Sequence, residues 1–291
     1  MFKGAMTAII TPFKKGKVDE KKLAELVELQ IKGGVSAIVP CGTTGESGTL
    51  SYEEHERVIE VVIEAVDKRV SVIAGTGSNN TTEAIMLTAH AKTSGADASL
   101  QITPYYNKPT QEGIYLHFKK IAEEVGLPMI VYNIASRTGV NILPETIHRI
   151  SKVKNIVGVK EASGSLEQMS MIHYLCGDKF DLISGDDSLT LPLLAIGGTG
   201  VISVVSNIAP NDVADMVLKF QKGDIDGAKK LHYKLLPLVK AVFIETNPIP
   251  VKTAMALMGL IDTADLRLPM CAMSDVNLGH LKKALKDYGL L

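Results

Sequence analysis

The stretch Ile156-Val-Gly-Val-Lys160-Glu-Ala162 is a short apolar run with one lysine near its end. Read as a β-strand, it places Ile156, Gly158, Lys160 and Ala162 on one face and Val157, Val159 and Glu161 on the other. Lys160 then stands between two very small neighbours on its own face, with room left around it. Lysine is rarely buried unless it is paired. Its ammonium becomes a nucleophile only when its pKa falls from about 10.4 toward roughly 7–8. A desolvated lysine at a strand end suits Schiff-base formation with a carbonyl substrate. The competing reading is a lysine that snorkels to solvent from the strand end.

Outward from this strand, the same unit recurs. Upstream, strands are predicted at Ala5–Ile10, Ser36–Pro40, Val70–Ala74, Ser99–Thr103 and Pro128–Tyr132. Downstream they follow at Phe180–Ser184 and Gly200–Val204. Between them lie helical patterns. Asp19–Lys32 carries Leu23, Leu26, Val27 and Ile31 on one stripe and stops at Gly33-Gly34. Ser51-Tyr-Glu-Glu54 is a capping box opening a helix to Asp67. Further helices run from Asn80, with Glu83 completing a second cap, through Leu116, Phe118 and Ile121, and from Pro144. Others follow Ser165, span Leu189–Ile196 and span Asn211–Gln221. Eight β-then-α units at intervals of roughly 21–34 residues predict an α/β fold, a (β/α)8 barrel of the TIM type, which typically takes about 250 residues. A doubly wound open sheet would more often have fewer units. The barrel is placed at residues 1–224 and a C-terminal helical extension at residues 225–291, with helices at Ala228–Phe243, Val251–Leu260 and Leu278–Tyr288.

The bulk composition narrows the class. Over 291 residues, 31 basic and 32 acidic side chains leave a charge of -1, which gives no electrostatic case for nucleic acid or an anionic membrane. Cys41, Cys176 and Cys271 are too scattered for a disulfide framework or a metal cluster, as expected in a reducing cytoplasm. The N-terminal apolar run is too short for a signal-peptide core and reads as the first strand. No stretch has the length of a membrane span. GxGxxG after a strand, GxxxxGK[ST], HExxH and GxSxG are all absent, so no nucleotide cofactor, metal or serine nucleophile is expected.

In a barrel of this type, the chemistry belongs at the C-terminal ends of the strands. The polar residues collect there. Cys41-Gly-Thr43-Thr44-Gly-Glu46-Ser47 offers amides and hydroxyls that can cradle a carboxylate; an ordinary glycine-rich turn would look the same. Tyr132 ends the fifth strand, and Arg137 lies on the loop after it, with donors that suit a substrate carboxylate. Tyr105 and Tyr106 stand on a proline-flanked turn, where tyrosines usually serve as anchors. Gly185-Asp186-Asp187 reads first as a helix cap.

GTTGES, TPYYNKP, YNIASRTG, the lysine of VGVKEA and NPIPVK occur in an order and spacing that resemble the dihydrodipicolinate synthase family, within the pyruvate-dependent, Schiff-base class I aldolases. The resemblance covers essentially the whole chain. It implies condensation of pyruvate, bound as an imine to Lys160, with L-aspartate 4-semialdehyde to give 4-hydroxy-tetrahydrodipicolinate in lysine and diaminopimelate biosynthesis, without a cofactor. It implies that Tyr132 is the acid–base group and that Thr43 links it to Tyr106, supplied by a neighbouring subunit. By the same resemblance Thr44 holds the pyruvate carboxylate, Arg137 takes the aldehyde's carboxylate, and Gly185 and Ile202 border the lysine. A homotetramer built from two tight dimers is implied, with L-lysine as inhibitor at Ser47, His55, Asn79, Glu83 and Tyr105. Ala135 departs from the proline usual in that loop, which is expected to loosen it. Gly48 and Tyr52 depart from the alanine and histidine common at the effector site. N-acetylneuraminate lyase and 2-keto-3-deoxy sugar acid aldolase resemble the same barrel and lysine. The SRTG arginine together with Tyr106 favours the synthase over these.

Overall fold

The computed structural model describes all 291 residues. Eight parallel strands close into a barrel: β1 (Gly4–Ala8), β2 (Ala37–Val39), β3 (Ser71–Gly75), β4 (Ala98–Ile102), β5 (Met129–Asn133), β6 (Ile156–Glu161), β7 (Asp181–Ser184) and β8 (Gly200–Ser203). Neighbours in sequence pair in space, and β8 closes on β1 with Met6 opposite Ile202. Around the barrel stand α1 (Glu20–Lys32), α2 (Tyr52–Val66), α3 (Thr81–Ser94), α4 (Gln111–Val125), the one-turn α5 (Ala135–Thr138), α6 (Pro144–Ile150), α7 (Leu166–Cys176), α8 (Thr190–Ala195) and α9 (Pro210–Gln221). The predicted (β/α)8 fold is the one observed.

Local chemistry explains the helix starts. The Ser51 capping box forms, with Glu54 N–H donating to Ser51 Oγ and Ser51 N–H to the Glu54 carboxylate. The box expected at Asn80 does not form. Asn80 caps α3 by accepting from Thr82 N–H, while the Glu83 carboxylate is taken by Tyr52 and Ser78. In α4, Phe118 and Ile121 are fully buried but Leu116 is exposed, because it falls off the inward stripe.

Three apolar layers result. Met6, Val39, Ile73, Leu100, Ile130 and Ile202 fill the barrel interior. Two outer layers join the strands' other faces to the helices. The alternation predicted for β6 holds from Gly158 onward and fails before it. The pairing register between β5 and β6 shifts between Met129 and Ile130, so that Met129 pairs with Ile156 and Ile130 with Gly158. This bulge inserts one residue. Ile156 therefore packs in an outer layer, and Val157 packs against the interior.

An antiparallel hairpin absent from the sequence reading, Phe13–Lys14 with Lys17–Val18, follows β1. The C-terminal extension contributes α10 (Ile225–Val242), α11 (Ile249–Leu257) and α12 (Asp275–Tyr288). Leu238, Val251, Met255, Leu281 and Leu285 join the same outer layer as α1, α2 and α9, so no solvent gap separates extension from barrel. No helix is long and apolar enough to cross a membrane.

Candidate active site

Lys160 lies near the C-terminal end of β6 and is only 6% exposed. The register sets Tyr132 of β5 and Ile183 of β7 directly beside it. Lys160 Nζ stands 4.2 Å from the centre of the Tyr132 ring. No carboxylate hydrogen-bonds to this ammonium. Burial lowers its pKa to about 7; the Asp187 carboxylate opposes the shift and the Arg137 charge adds to it. The snorkelling alternative is thereby excluded. Tyr132 moves the opposite way: burial pushes its phenol up to about 12, and the Arg137 charge and the Thr43 hydroxyl pull it back. A half-neutral amine thus faces a phenol that keeps its proton, an arrangement with the chemistry to supply a nucleophile and an acid.

Space for the lysine is made by one glycine. A Cβ on Gly185 would lie 2.7 Å from Ala162 Cβ and 3.1 Å from Lys160 Cε. The following residues divide their work. Asp186 caps a turn by accepting from Ser188 N–H at 2.9 Å, as predicted. Asp187 turns inward instead, where it accepts from Ser203 Oγ and from the Val204 and Val205 amides at 2.9 and 3.3 Å. Its electrostatic reach to Lys160 was not visible in the sequence.

The glycine-rich loop reaches Tyr132 through the Thr43 hydroxyl. Its path needs left-handed backbone at two non-glycine residues, Cys41 (φ 54°) and Glu46 (φ 52°). It also needs a bare Gly75, where a Cβ would sit 2.3 Å from the Cys41 carbonyl oxygen. Cys41 itself is buried, with its thiol pKa driven far up, so it acts as an inert filler. Thr44 is buried and its Oγ1 accepts from Asn247 Nδ2 at 3.0 Å. The same Asn247 offers its backbone carbonyl to Arg137 Nη2 at 3.2 Å. Arg137 is exposed on the rim of a cleft of about 440 Å³ that Thr43, Ile102, Tyr105 and Asn247 also line. At Ala135 the chain forms the one-turn α5, which closes with Gly139 N–H donating to the Ala135 carbonyl at 2.9 Å.

The two adjacent tyrosines differ in their surroundings. Tyr105 lines the cleft, whereas Tyr106 is 89% exposed and does not. A second cleft of about 350 Å³ is lined by Ser47, Tyr52, His55, Glu83 and Tyr105. The two clefts share Ser47, Gly48, Gly77 and Tyr105 as a common wall. Asn79 does not line the second cleft; its amide donates to the Tyr105 carbonyl at 3.1 Å and braces that residue. His55, on the wall of that cleft, is buried, and its imidazole is held neutral, near pKa 4, chiefly by burial.

Sequence reasoning also missed Asn247, which joins Thr44 to Arg137. Its signal was present in the NPIPVK motif, but nothing in six residues from the far end of the chain says which loops they meet. No cluster of three His, Cys, Asp or Glu side chains is arranged to hold a metal ion.

This geometry has counterparts among known proteins. The 4-hydroxy-tetrahydrodipicolinate synthase of Syntrophus aciditrophicus is 59% identical over 291 residues, covering all of both chains. A pyruvate complex of a chloride-inhibited dihydrodipicolinate synthase from Acinetobacter baumannii superposes with a TM-score of 0.97 at 46% identity, covering 100% of both chains. The enzyme from Cyanidioschyzon merolae with lysine bound gives 0.96 at 42% identity, covering 100% of this chain and 99% of that one. The family model described as the dihydrodipicolinate synthetase family matches residues 1–288, and the chain belongs to that family.

Proposed function

We propose that this cleft condenses pyruvate with L-aspartate 4-semialdehyde to give 4-hydroxy-tetrahydrodipicolinate, the first committed step of lysine and diaminopimelate biosynthesis. The observation that carries the proposal is Lys160, buried, without a hydrogen-bonded carboxylate, and poised near neutrality beside Tyr132. Its neutral amine attacks the pyruvate carbonyl carbon, and loss of water leaves an imine. That imine withdraws electrons, so a methyl proton departs and the resulting enamine attacks the aldehyde carbon. The new alkoxide takes a proton, and the second substrate's own amine then attacks the imine carbon, closing the ring and freeing Lys160. Tyr132 relays the protons. Thr44 and the loop amides receive the pyruvate carboxylate, and Arg137 receives the carboxylate of the aldehyde. Gly185 and Ile202 border the reacting lysine. A guanidinium on the rim suits a short aldehyde with a terminal carboxylate better than the polyhydroxyl chains of N-acetylneuraminate or sugar acids.

Tyr106 is assigned to the proton relay of a neighbouring copy through that copy's Thr43, within a homotetramer of two tight dimers. Its high exposure in the single chain supports this reading. L-lysine is assigned to the second cleft as a feedback inhibitor, with Glu83 facing its ammonium. Here Tyr52 and Ser78 already donate to Glu83, so an effector must displace or share those bonds. Calorimetric titration with L-lysine, repeated on Glu83→Ala, tests the assignment: binding is expected only with Glu83 present. The reaction is placed in the cytoplasm, in keeping with three unpaired cysteines.

Borohydride reduction in the presence of pyruvate, followed by mass mapping, tests the central claim. One pyruvate-derived mass is expected on the peptide carrying Lys160. Labelling at another lysine, or none in folded protein, would remove the nucleophile from the scheme.

A further inference from the structure

Lys252 is the molecule's other deeply buried lysine, with no exposed surface at all. It comes from α11, in the C-terminal extension, yet its ammonium lies 2.6 Å from Glu46 in the glycine-rich loop. The second Glu46 oxygen accepts from Arg267 N–H at 3.2 Å. Phe13, on the hairpin after β1, closes the site from below: Lys252 Nζ lies 4.2 Å and the Arg267 guanidinium 4.4 Å from its ring centre. Arg267 is fixed in turn by the Thr49 carbonyl at 3.0 Å and by the Glu54 carboxylate. Glu46 is one of the loop's two left-handed non-glycine residues, a conformation that persists only where its surroundings enforce it. Five residues upstream of Lys252, Asn247 holds Thr44 and Arg137.

We propose that the segment Asn247–Lys252 is a positioning strut for the substrate loop: Lys252 fixes Glu46, Asn247 fixes Thr44, and together they set where Thr43 and Thr44 meet pyruvate. Neither side chain reacts. A buried ion pair is a poor source of net stability, since two charges leave water to form it, but it specifies one geometry. That is the property a carboxylate-binding loop needs, because displacement by a fraction of an ångström weakens the grip on pyruvate without touching the nucleophile. The extension is on this view part of the substrate site.

The inference rests on Lys160 forming the pyruvate imine, and its test keeps the two apart. In the full-length protein, the amount of borohydride-trapped product on Lys160 is measured against pyruvate concentration for the parent and for Glu46→Gln/Lys252→Met. This double variant replaces the ion pair with neutral groups of similar size, so its thermal midpoint is expected to stay close to the parent's. Half-saturating pyruvate is expected to rise about tenfold or more, with the trapped plateau near the parent's. A folded double variant with parental half-saturation overturns the proposal. So does a loss of plateau without a shift in half-saturation, since that would place the pair in the chemical step. If the double variant does not fold, Asn247→Ala decides the matter: it removes the other arm of the strut, and an unchanged half-saturation there overturns the proposal equally. No trapping in the parent would instead defeat the functional assignment itself.

Discussion

Two lysines are buried in this protein, one in the barrel's mouth and one beneath the extension, and they have opposite fates. Lys160 has no carboxylate within hydrogen-bonding distance, and burial brings it close to neutrality. Lys252 is lowered by burial as well, but Glu46 at 2.6 Å pulls it back toward the charged form. Desolvation alone turns a lysine into a reagent, while desolvation with a well-placed partner turns it into a strut. The surroundings differ accordingly. Lys160 packs beside the bare Gly185, which leaves just the room its own side chain needs. Lys252 faces Phe13 and a carboxylate.

The largest effect that would break this contrast comes from Lys160→Met. Turnover should fall by on the order of 10⁴-fold or more, since the covalent route is lost. Stability should move the other way. Between pH 7 and 10.5 the unfolded chain binds a proton at Lys160 that the folded chain does not, so stability climbs with pH across that window by about 1.4 kcal/mol per unit. Below the window both states are protonated and the folded state carries the full cost. Urea denaturation at several pH values should show Lys160→Met more stable than the parent at pH 7, with a flatter rise toward alkaline pH. An equally steep rise would mean that Lys160 is not the desolvated group.

Lys252→Met should do the reverse to stability. It strands the Glu46 carboxylate in a dry site, at a cost of about 3–5 kcal/mol and a fall in thermal midpoint on the order of 10 °C. Scanning calorimetry measures this directly. A midpoint equal to the parent's would mean that water reaches Glu46 and that the two lysines are less different than their burial indicates.

The third effect is smaller and sharpens the comparison from Lys160's side. Arg137→Ala removes one charge-assisted contact to the aldehyde, about 1.5–3 kcal/mol, seen as a loss in condensation with pyruvate trapping retained. It also removes a cation that helps depress Lys160, so the pH profile of imine formation should move in the alkaline direction. Equal losses in trapping and in condensation would contradict the division between the two substrates.

What the sequence revealed follows from how local each signal is. The barrel was legible because alternation and helical periodicity repeat eight times, and Lys160 because small neighbours flank it two residues away on either side. The Ser51 cap was legible from four consecutive residues. The bulge at Ile156 was not, since it depends on how β5 pairs with β6 rather than on either strand alone. Burial of His55 was hidden for a similar reason: a polar residue on an amphipathic helix looks exposed until the loop packed against it is known. The pairing of Glu46 with Lys252 escaped altogether. The two residues are 206 positions apart, and each resembles a surface charge when read in its own segment. The functional roles came from motif resemblance, whereas the contacts that hold those motifs in place came from the fold.

The distance between Glu46 and Lys252 has a consequence for how the protein is made. Synthesis runs from the N-terminus, and the glycine-rich loop is among the first elements to leave the ribosome. Lys160 follows, then the last barrel strand, Gly200–Ser203, and only later Lys252 and Arg267. On the proposed assignments, a nascent chain that already contains the reactive amine lacks the clamp that shapes the cradle for its substrate. The earliest part of the site is finished by one of the latest parts of the chain, so a product of interrupted translation carries the nucleophile without the grip.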